Sequence, residues 1–190
     1  MRAYSGVSLH VHRKLAADEV RFAHPAFDIE SRIVSAQVGN TVFASVYVPN
    51  GGKDYAAKLN FLARMIEWIG ALHAEGRSLV LCGDINVAHD DMDVHPKERK
   101  AGVIGQRPEE RALFERLLGG RMVDVARAAA PQNADLFTWW PPWRNMRQRN
   151  IGWRIDYVLA SKSIAQRATE CRVLADVGTS DHAPVMLTTG

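Results

Sequence analysis

The chain has 190 residues, of which 47% are hydrophobic and 24% charged. This is a globular composition, long enough for one domain with a sizeable core, and it excludes a disordered or collagen-like chain. Lys and Arg outnumber Asp and Glu by 24 to 21, and a net charge of +3 is too small to establish a nucleic-acid partner until the positions of the charges are known.

Residues 7–11 alternate apolar and polar (Val7, Leu9, Val11), the pattern of a half-buried strand. Two β-branched runs, 33–38 and 41–48, flank Gly39-Asn40 and predict a hairpin with a two-residue turn. Pro49-Asn50-Gly51-Gly52 ends the second strand. A helix should follow, with Leu59, Leu62, Ile66 and Ile69 spaced along one face and Gly76 closing it. Residues 78–82 (SLVLC) are too short for a helix and predict a buried strand. The polar stretch 83–107 comes next. Pro108 then opens a short helix, with Glu109 and Glu110 in the first turn, where the helix dipole favours negative charge. Further strands are expected at 154–160, 168–174 and 184–188, and the stretch 139–153 has no clear period. Spacing alone supports α+β or α/β and does not choose a topology.

Cys82 and Cys171 cannot form a multi-bridge framework and suit a reducing compartment, so a cytoplasmic protein is expected. No apolar run approaches the ~20 residues of a membrane span. Residues 1–20 also lack the apolar core of a signal peptide.

Several constellations carry chemistry. In Gly83-Asp84-Ile85-Asn86, a predicted buried strand runs into a carboxylate and a carboxamide two residues apart. They either converge on one ion or water, or form an Asx turn. In Ser180-Asp181-His182-Ala183-Pro184, the adjacent Asp and His serve a metal or a phosphate, or simply form a turn before the last strand. Arg154 and Asp156, two apart on a predicted strand, read from spacing as a structural ion pair. Tyr47, at a strand end, is ordinarily a packed ring with a satisfied hydroxyl and gains interest only from its neighbours. The window 138–154 holds Arg144, Arg147, Arg149 and Arg154, no acidic residue, and Trp139, Trp140, Trp143 and Trp153, four of the five tryptophans. Such a surface suits phosphate neutralisation and base stacking, and consecutive Trp followed by Pro-Pro is unusual for a core strand.

In order, SGVSL (5–9), SVYVPNGG (45–52), LCGDINVAHDDMDV (81–94), PEER (108–111), MVDVAR (122–127), FTWW (137–140), IGWRIDYVLAS (151–161) and TSDHAPV (179–185) resemble the exodeoxyribonuclease III / apurinic–apyrimidinic endonuclease family, within the exonuclease–endonuclease–phosphatase superfamily. The resemblance covers essentially the whole chain. It implies an α/β fold of the DNase I-like type, a two-sheet β-sandwich flanked by helices in four layers (α/β/β/α). It also implies a Mg²⁺- or Mn²⁺-dependent hydrolase of the DNA backbone, performing abasic-site incision and 3′-to-5′ exonuclease or 3′-end cleaning.

By the same resemblance, Asp84 aligns or deprotonates the attacking water and Asn86 donates to the phosphate. Asp181 is a metal ligand and His182 a phosphate contact held by Asp156. Tyr47 sits near the scissile phosphate. Asp84, Asn86, Asp181 and His182 form the expected metal set. Trp139 and Trp153 match the walls of an abasic-sugar pocket, and Lys53, Lys100 and Arg144 match DNA-contacting loops. The implied partner is duplex DNA with abasic or 3′-blocked sites, bound by a monomer away from membranes.

One departure stands out. The family normally begins with a strand bearing a metal-site Asn and a second strand ending in Gln-Glu, and here the match begins downstream of both. The expectation is therefore a single domain over 1–190 lacking its first strands, weakly active and poorly soluble as written. Two alternatives compete: a nucleic-acid-binding remnant, and a superfamily phosphatase acting on lipid headgroups, which the basic Trp-rich window disfavours.

Overall fold

The computed structural model describes residues 6–15, 19–178 and 180–190. Strands β2 (Ile33–Val38) and β3 (Thr41–Tyr47) form the expected hairpin around Gly39-Asn40, with Val38 facing Thr41. A short edge strand, β1 (Arg21–Ala23), pairs with β2. Helix α1 (Tyr55–Ala74) is capped by Asp54, whose carboxylate accepts from the Ala57 N–H at 2.9 Å. Its buried stripe is Lys58, Leu62, Met65, Ile69 and Leu72, at steps of four and three. Leu59 and Ile66, expected on that face, are only half-buried at its margin.

The chain then enters β4 (Ser78–Asp84), makes two short 3₁₀ turns (Asp91–Asp93 and Pro96–Glu98), and forms α2 (Pro108–Leu118). After α2 come β5 (Met122–Asp124), α3 (Val125–Ala129), β6 (Asp156–Ser161), α4 (Lys162–Ala165), β7 (Ala168–Val173) and β8 (Val185–Thr189).

Six strands form one sheet in the order β1-β2-β3-β4-β6-β5, and β7 and β8 form a second, antiparallel sheet. Within the larger sheet only β3–β4 is parallel, joined by the α1 crossover. One face of this sheet packs on α1 and α2 through Val42, Ala44, Leu62, Met65, Leu79, Leu81, Phe114 and Leu159. The other face, through Val80, Val158 and Ala160, meets Val125 of α3, Ile164 of α4 and Cys171, Val185 and Leu187 of the smaller sheet. The architecture is thus mixed α/β, two sheets flanked by helices, with Thr169, Glu170 and Arg172 of β7 facing solvent.

Two expectations are corrected. Residues 7–11 are not a strand. Val7, Leu9 and Val11 do alternate as half-buried positions, but among the described residues no neighbouring strand pairs with them, and alternation without a ladder partner does not make a strand. Nor do Arg154 and Asp156 form an ion pair. Strand β6 begins only at Asp156, so strand alternation does not extend back to Arg154. Arg154 instead turns inward and donates from Nε and Nη2 to both Asp93 oxygens (2.7 and 2.9 Å) and from Nη1 to Asp124 (2.6 Å). Arg127 adds a third guanidinium bond to Asp93, at 2.6 Å.

Arg154 and Asp93 are each only 1% exposed. Desolvation opposes the charge on Asp93, but the two guanidiniums outweigh it and hold the carboxyl below its usual range. Removing one member of such a network leaves buried charge uncompensated. Arg154→Met is therefore expected to cost about 3–5 kcal/mol in urea unfolding. A loss under about 1 kcal/mol would mean that Asp93 and Asp124 are satisfied without it.

Candidate active site

The site is assembled by strand register. The parallel β3–β4 ladder sets Tyr47 beside Asp84, and the antiparallel β4–β6 ladder sets Asp84 opposite Asp156, so three adjacent strands deliver three polar side chains at one end of the sheet. Gly83 makes the approach possible. Its φ is +138°, and a Cβ there would lie 2.0 Å from the Val46 carbonyl oxygen.

Past the strand end, Asn86 adopts a left-handed backbone (φ +55°), a region in which Asn is enriched. Its N–H donates to Asp84 Oδ1 at 2.7 Å. Its side-chain Nδ2 donates to Asp84 Oδ2 at 3.0 Å and to the Val48 carbonyl at 2.9 Å, and Asn50 donates to its Oδ1 at 3.3 Å. Asp84 and Asn86 thus form the expected Asx turn and also face the cavity together.

His182 arrives from the loop before β8, held by a bridge to Trp139. Its Nδ1 lies 2.9 Å from Asp156 Oδ2, and Thr138 donates its hydroxyl to the same oxygen at 2.8 Å. Asp181 Oδ2 accepts from the Trp139 indole N–H at 2.9 Å. Tyr47, Asn50, Asp84, Asn86, Ile104, Trp139, Trp153, Ile155 and His182 line one cavity of about 230 Å³. The two indoles meet edge to face, with ring centroids 5.9 Å apart.

The charges are in tension. Desolvation and the facing Asp156 push the Asp84 carboxyl up to about 7, against pulls from His182, the Asn86 N–H and Lys58. Burial alone would lower the His182 pKa, but Asp156, Asp84 and Asp181 outweigh it and raise it above the ordinary value. For Asp181, burial is overridden by the Trp139 N–H and neighbouring donors, which hold its carboxyl low.

The other sequence candidates are divided among different places. Trp140 is buried, Trp143 is exposed, and Trp139 and Trp153 are half-buried in the cavity wall. Arg144 and Arg149 are exposed. Arg147, read from the sequence with the phosphate-neutralising arginines, is instead spent on the protein. It donates to the carbonyls of Ala175, Val177 and Ser180, and its guanidinium sits 4.7 Å from the centroid of the Trp140 ring. Lys53 lines a neighbouring groove with Arg32 and Tyr47, while Lys100 stands on an exposed turn outside the cavity lining. Asn50, Thr138, Ile104 and Ile155 were not singled out as site residues. Asn50 stood in plain view in the Tyr47-Val48-Pro49-Asn50 motif, but Ile104 has no chemical signature that sequence reading could use. Thr179 of the TSDHAPV stretch and Ser5 of SGVSL lie outside the described residues.

A family model described as the Endonuclease/Exonuclease/phosphatase family matches residues 2–182. The chain belongs to this family. An exodeoxyribonuclease of Bacillus subtilis is 33% identical over 165 residues, covering 84% of this chain and 64% of that protein. The DNA repair nuclease APEX1 of Danio rerio is 30% identical over 189 residues, covering 97% of this chain and 60% of that protein. The chain thus spans less than two thirds of the length of these relatives. Among solved structures, the 3′ phosphatase NExo from Neisseria bound to a product DNA hairpin superposes with a TM-score of 0.81 at 30% identity, covering 90% of this chain and 70% of that one. An AP endonuclease from Archaeoglobus fulgidus gives 0.79 at 25% identity with the same coverage. These neighbours support the DNase I-like, two-sheet arrangement. Among the described residues, no helix is long and apolar enough to cross a membrane.

Asp84 yields a stability prediction. Its pKa is raised in the folded protein, so its contribution is neutral below about pH 4, grows unfavourable between about pH 4 and 7, and carries its full penalty above about pH 7. Such a rise is worth about 4 kcal/mol at most, and the residual solvent access of Asp84 and the sharing of one proton with Asp156 reduce this to about 1–2 kcal/mol. In chelator, Asp84→Asn should raise Tm by about 2–6 °C at pH 8 and by less at pH 5. An unchanged or lower Tm at pH 8 would show that the carboxylate carries no such penalty.

Proposed function

We propose that this chain carries the hydrolytic site of a divalent-metal-dependent DNA-repair nuclease, acting on phosphodiesters at abasic sites and 3′ ends of duplex DNA. The observation that carries this reading is the convergence of Tyr47, Asp84, Asn86 and His182, the last held by Asp156, on one cavity walled by two indoles. The names of the relatives and of the superposed structures point the same way.

A phosphodiester is an anion that repels an attacking oxygen, so its hydrolysis needs a positioned base and donors where charge develops. Asp84 lines the cavity where a carboxylate can align and deprotonate water, and in the metal-free site burial and the facing Asp156 raise its carboxyl to about 7. Asp156 accepts at His182 Nδ1, which favours the cationic ring and leaves the opposite N–H for a phosphate oxygen. Both side-chain hydrogens of Asn86 are engaged, by Val48 and Asp84. Its donation to phosphate therefore requires Asp84 to release it, as a turn toward water would. Tyr47 faces the same space, where it assists the leaving group or stabilises its charge. Trp139 and Trp153 wall a slot suited to a sugar without its base.

The donor set also bears on the metal. Among the described residues, no three His, Cys, Asp or Glu side chains stand together as an ion cage. Oxygens of Asp84 and Asn86 in the cavity, with Asp181 outside its lining and engaged by Trp139, are the hard donors that Mg²⁺ or Mn²⁺ prefers, and Mg²⁺ is ordinarily held by one or two carboxylates, waters and substrate phosphate. The residues therefore fit an ion held jointly with DNA, and His182, raised toward its cation, fits phosphate better than metal. An ion held there would supply neutralisation of the developing phosphate charge.

Cleavage of an abasic duplex should require a divalent cation, and Asp84→Asn and His182→Ala should each lower turnover by at least ~100-fold with the fold intact by circular dichroism. Undiminished cleavage in excess chelator, or by Asp84→Asn, would remove the assignment. Release of phosphate from a lipid headgroup without DNA cleavage would favour the phosphatase alternative.

Arg144→Ala should weaken DNA binding more than turnover at saturating DNA, with a loss that shrinks as salt rises, because a phosphate contact contributes mainly counterion release. An identical binding curve at low salt would place Arg144 away from the DNA.

A further inference from the structure

The most buried charges outside the reacting groups lie directly beneath the cavity. Lys58 of α1 and Glu110 of α2 form an ion pair with both side chains at 0% exposure. Each also holds backbone. Lys58 Nζ donates to the Asn86 carbonyl at 2.7 Å. Glu110 Oε2 accepts from the N–H groups of Gly105 at 2.7 Å and Arg107 at 3.2 Å. Gly105 in turn accepts from the Ala88 N–H at 2.8 Å through its carbonyl. The Lys58 stem fills the space at Gly51, where a Cβ would lie 2.9 Å from Lys58 Cδ with φ at +89°. Three loops that carry cavity residues, the one after β3 with Asn50, the one after β4 with Asn86 and the one before α2 with Ile104, are thus joined at a single point.

Such a pair is a poor choice for stability alone, since well-packed apolar residues of similar volume are often equal or better. What apolar residues cannot supply is a donor aimed at the Asn86 carbonyl and an acceptor aimed at the Gly105 N–H. Asn86 needs that support, because it leaves β4 in a left-handed conformation and its other hydrogen bonds among the described residues are to Asp84 and Asn50, themselves cavity residues, and to the Val48 carbonyl.

We infer that Lys58 is a positioning residue of the nuclease site, acting with Glu110 through the Asn86 backbone to hold the Asp84–Asn86 turn in register with the 104–107 loop. This rests on the function proposed above, and the test separates the two. The double variant Lys58→Met/Glu110→Gln removes both charges yet keeps an acceptor for Gly105. In the full chain, its Tm should stay within a few degrees of the parent. Amide hydrogen exchange at Asn86 and Ala88 should speed up by about tenfold or more, with Leu81 and Leu159 in the sheet unchanged. Turnover should fall about 10- to 100-fold with KM nearly constant, since a misplacement near 1 Å costs up to ~100-fold. Met65→Ala, a core truncation on the same helix, should lower Tm and leave turnover alone.

Unchanged exchange at Asn86 and Ala88 in the double variant would overturn the inference, as would turnover loss in Met65→Ala of the same size. If the parent cleaves no DNA, the functional proposal fails and the exchange pattern still decides the role of Lys58. If Lys58→Met/Glu110→Gln does not fold, Lys58→Met/Glu110→Leu takes the same measurements.

Discussion

Asp84 and Asp156 stand directly opposite one another across the β4–β6 ladder. Like charges in that position destabilise a sheet, and the partly desolvated sheet end sharpens the repulsion. Much of the surrounding structure answers this one conflict. His182 and the Thr138 hydroxyl are set against Asp156, and the Asn86 N–H and side chain against Asp84, while Lys58 adds a positive field from below. Gly83 is needed for the strands to come close enough for the conflict to exist. A sheet built only for stability would not place two carboxylates here. Burial, together with this confrontation, raises the proton affinity of Asp84, and Asp156 with Asp84 and Asp181 gives His182 its cationic bias, the two properties the proposed hydrolytic site would use.

The other buried charges have a different logic. Arg154, Asp93, Asp124 and Arg127 form a closed network in which every carboxylate meets at least one guanidinium, and none of the four lines the cavity. Asp124 also caps α3 by accepting from the Arg127 N–H at 3.1 Å. The network ties the turn at 91–93, the start of α3 and the approach to β6, so its output is the placement of Trp153 and Asp156 on either side of Arg154. The charged residues of the quoted stretches therefore sort into reacting and scaffolding groups, which no property of the residue types alone would reveal.

Sequence reading located the hairpin, α1, β4, α2 and the late strands because their signals are local: β-branched runs, a turn dipeptide, a three-and-four stripe, a proline at a helix start. It failed where the outcome depends on a neighbour. Residues 7–11 have strand alternation without a ladder, and Arg21–Ala23, exposed and three residues long, has a ladder without a recognisable pattern. Asp84 with Asn86 and Asp181 with His182 stand out in the sequence as motifs open to either a turn or a chemical role, whereas Tyr47 and Asp156 gain a site role only through the family resemblance, since a strand-end Tyr reads as a packed ring and spacing alone pairs Asp156 with Arg154. Lys58 was invisible. A lysine on the buried stripe of a helix reads as a solvated exception, and its partner Glu110 reads as a dipole-satisfying first-turn acid. Only the packing of α1 on α2 shows that the two exceptions meet.

The arginine- and tryptophan-rich window shows how one composition serves two purposes. Arg147 and Trp140 stack on each other, and Arg147 spends its donors on the backbone that leads into Ser180, Asp181 and His182. Ala183 and Asp181 are tied to Thr138 and Trp140 through backbone bonds, so the window and the His182 loop form one rigid unit. Held by that unit, Arg144 at φ +53° and the adjacent Trp143 project into solvent. A charged and aromatic tip on a stiff base costs less ordering entropy on binding than a flexible loop would. The same base carries the histidine that faces Asp84 across the cavity. The proposed phosphate contact at the tip and the proposed role of His182 are therefore referred to one piece of scaffold, and a DNA strand seated against Arg144 would have its position relative to His182 set by the backbone bonds that join the two segments.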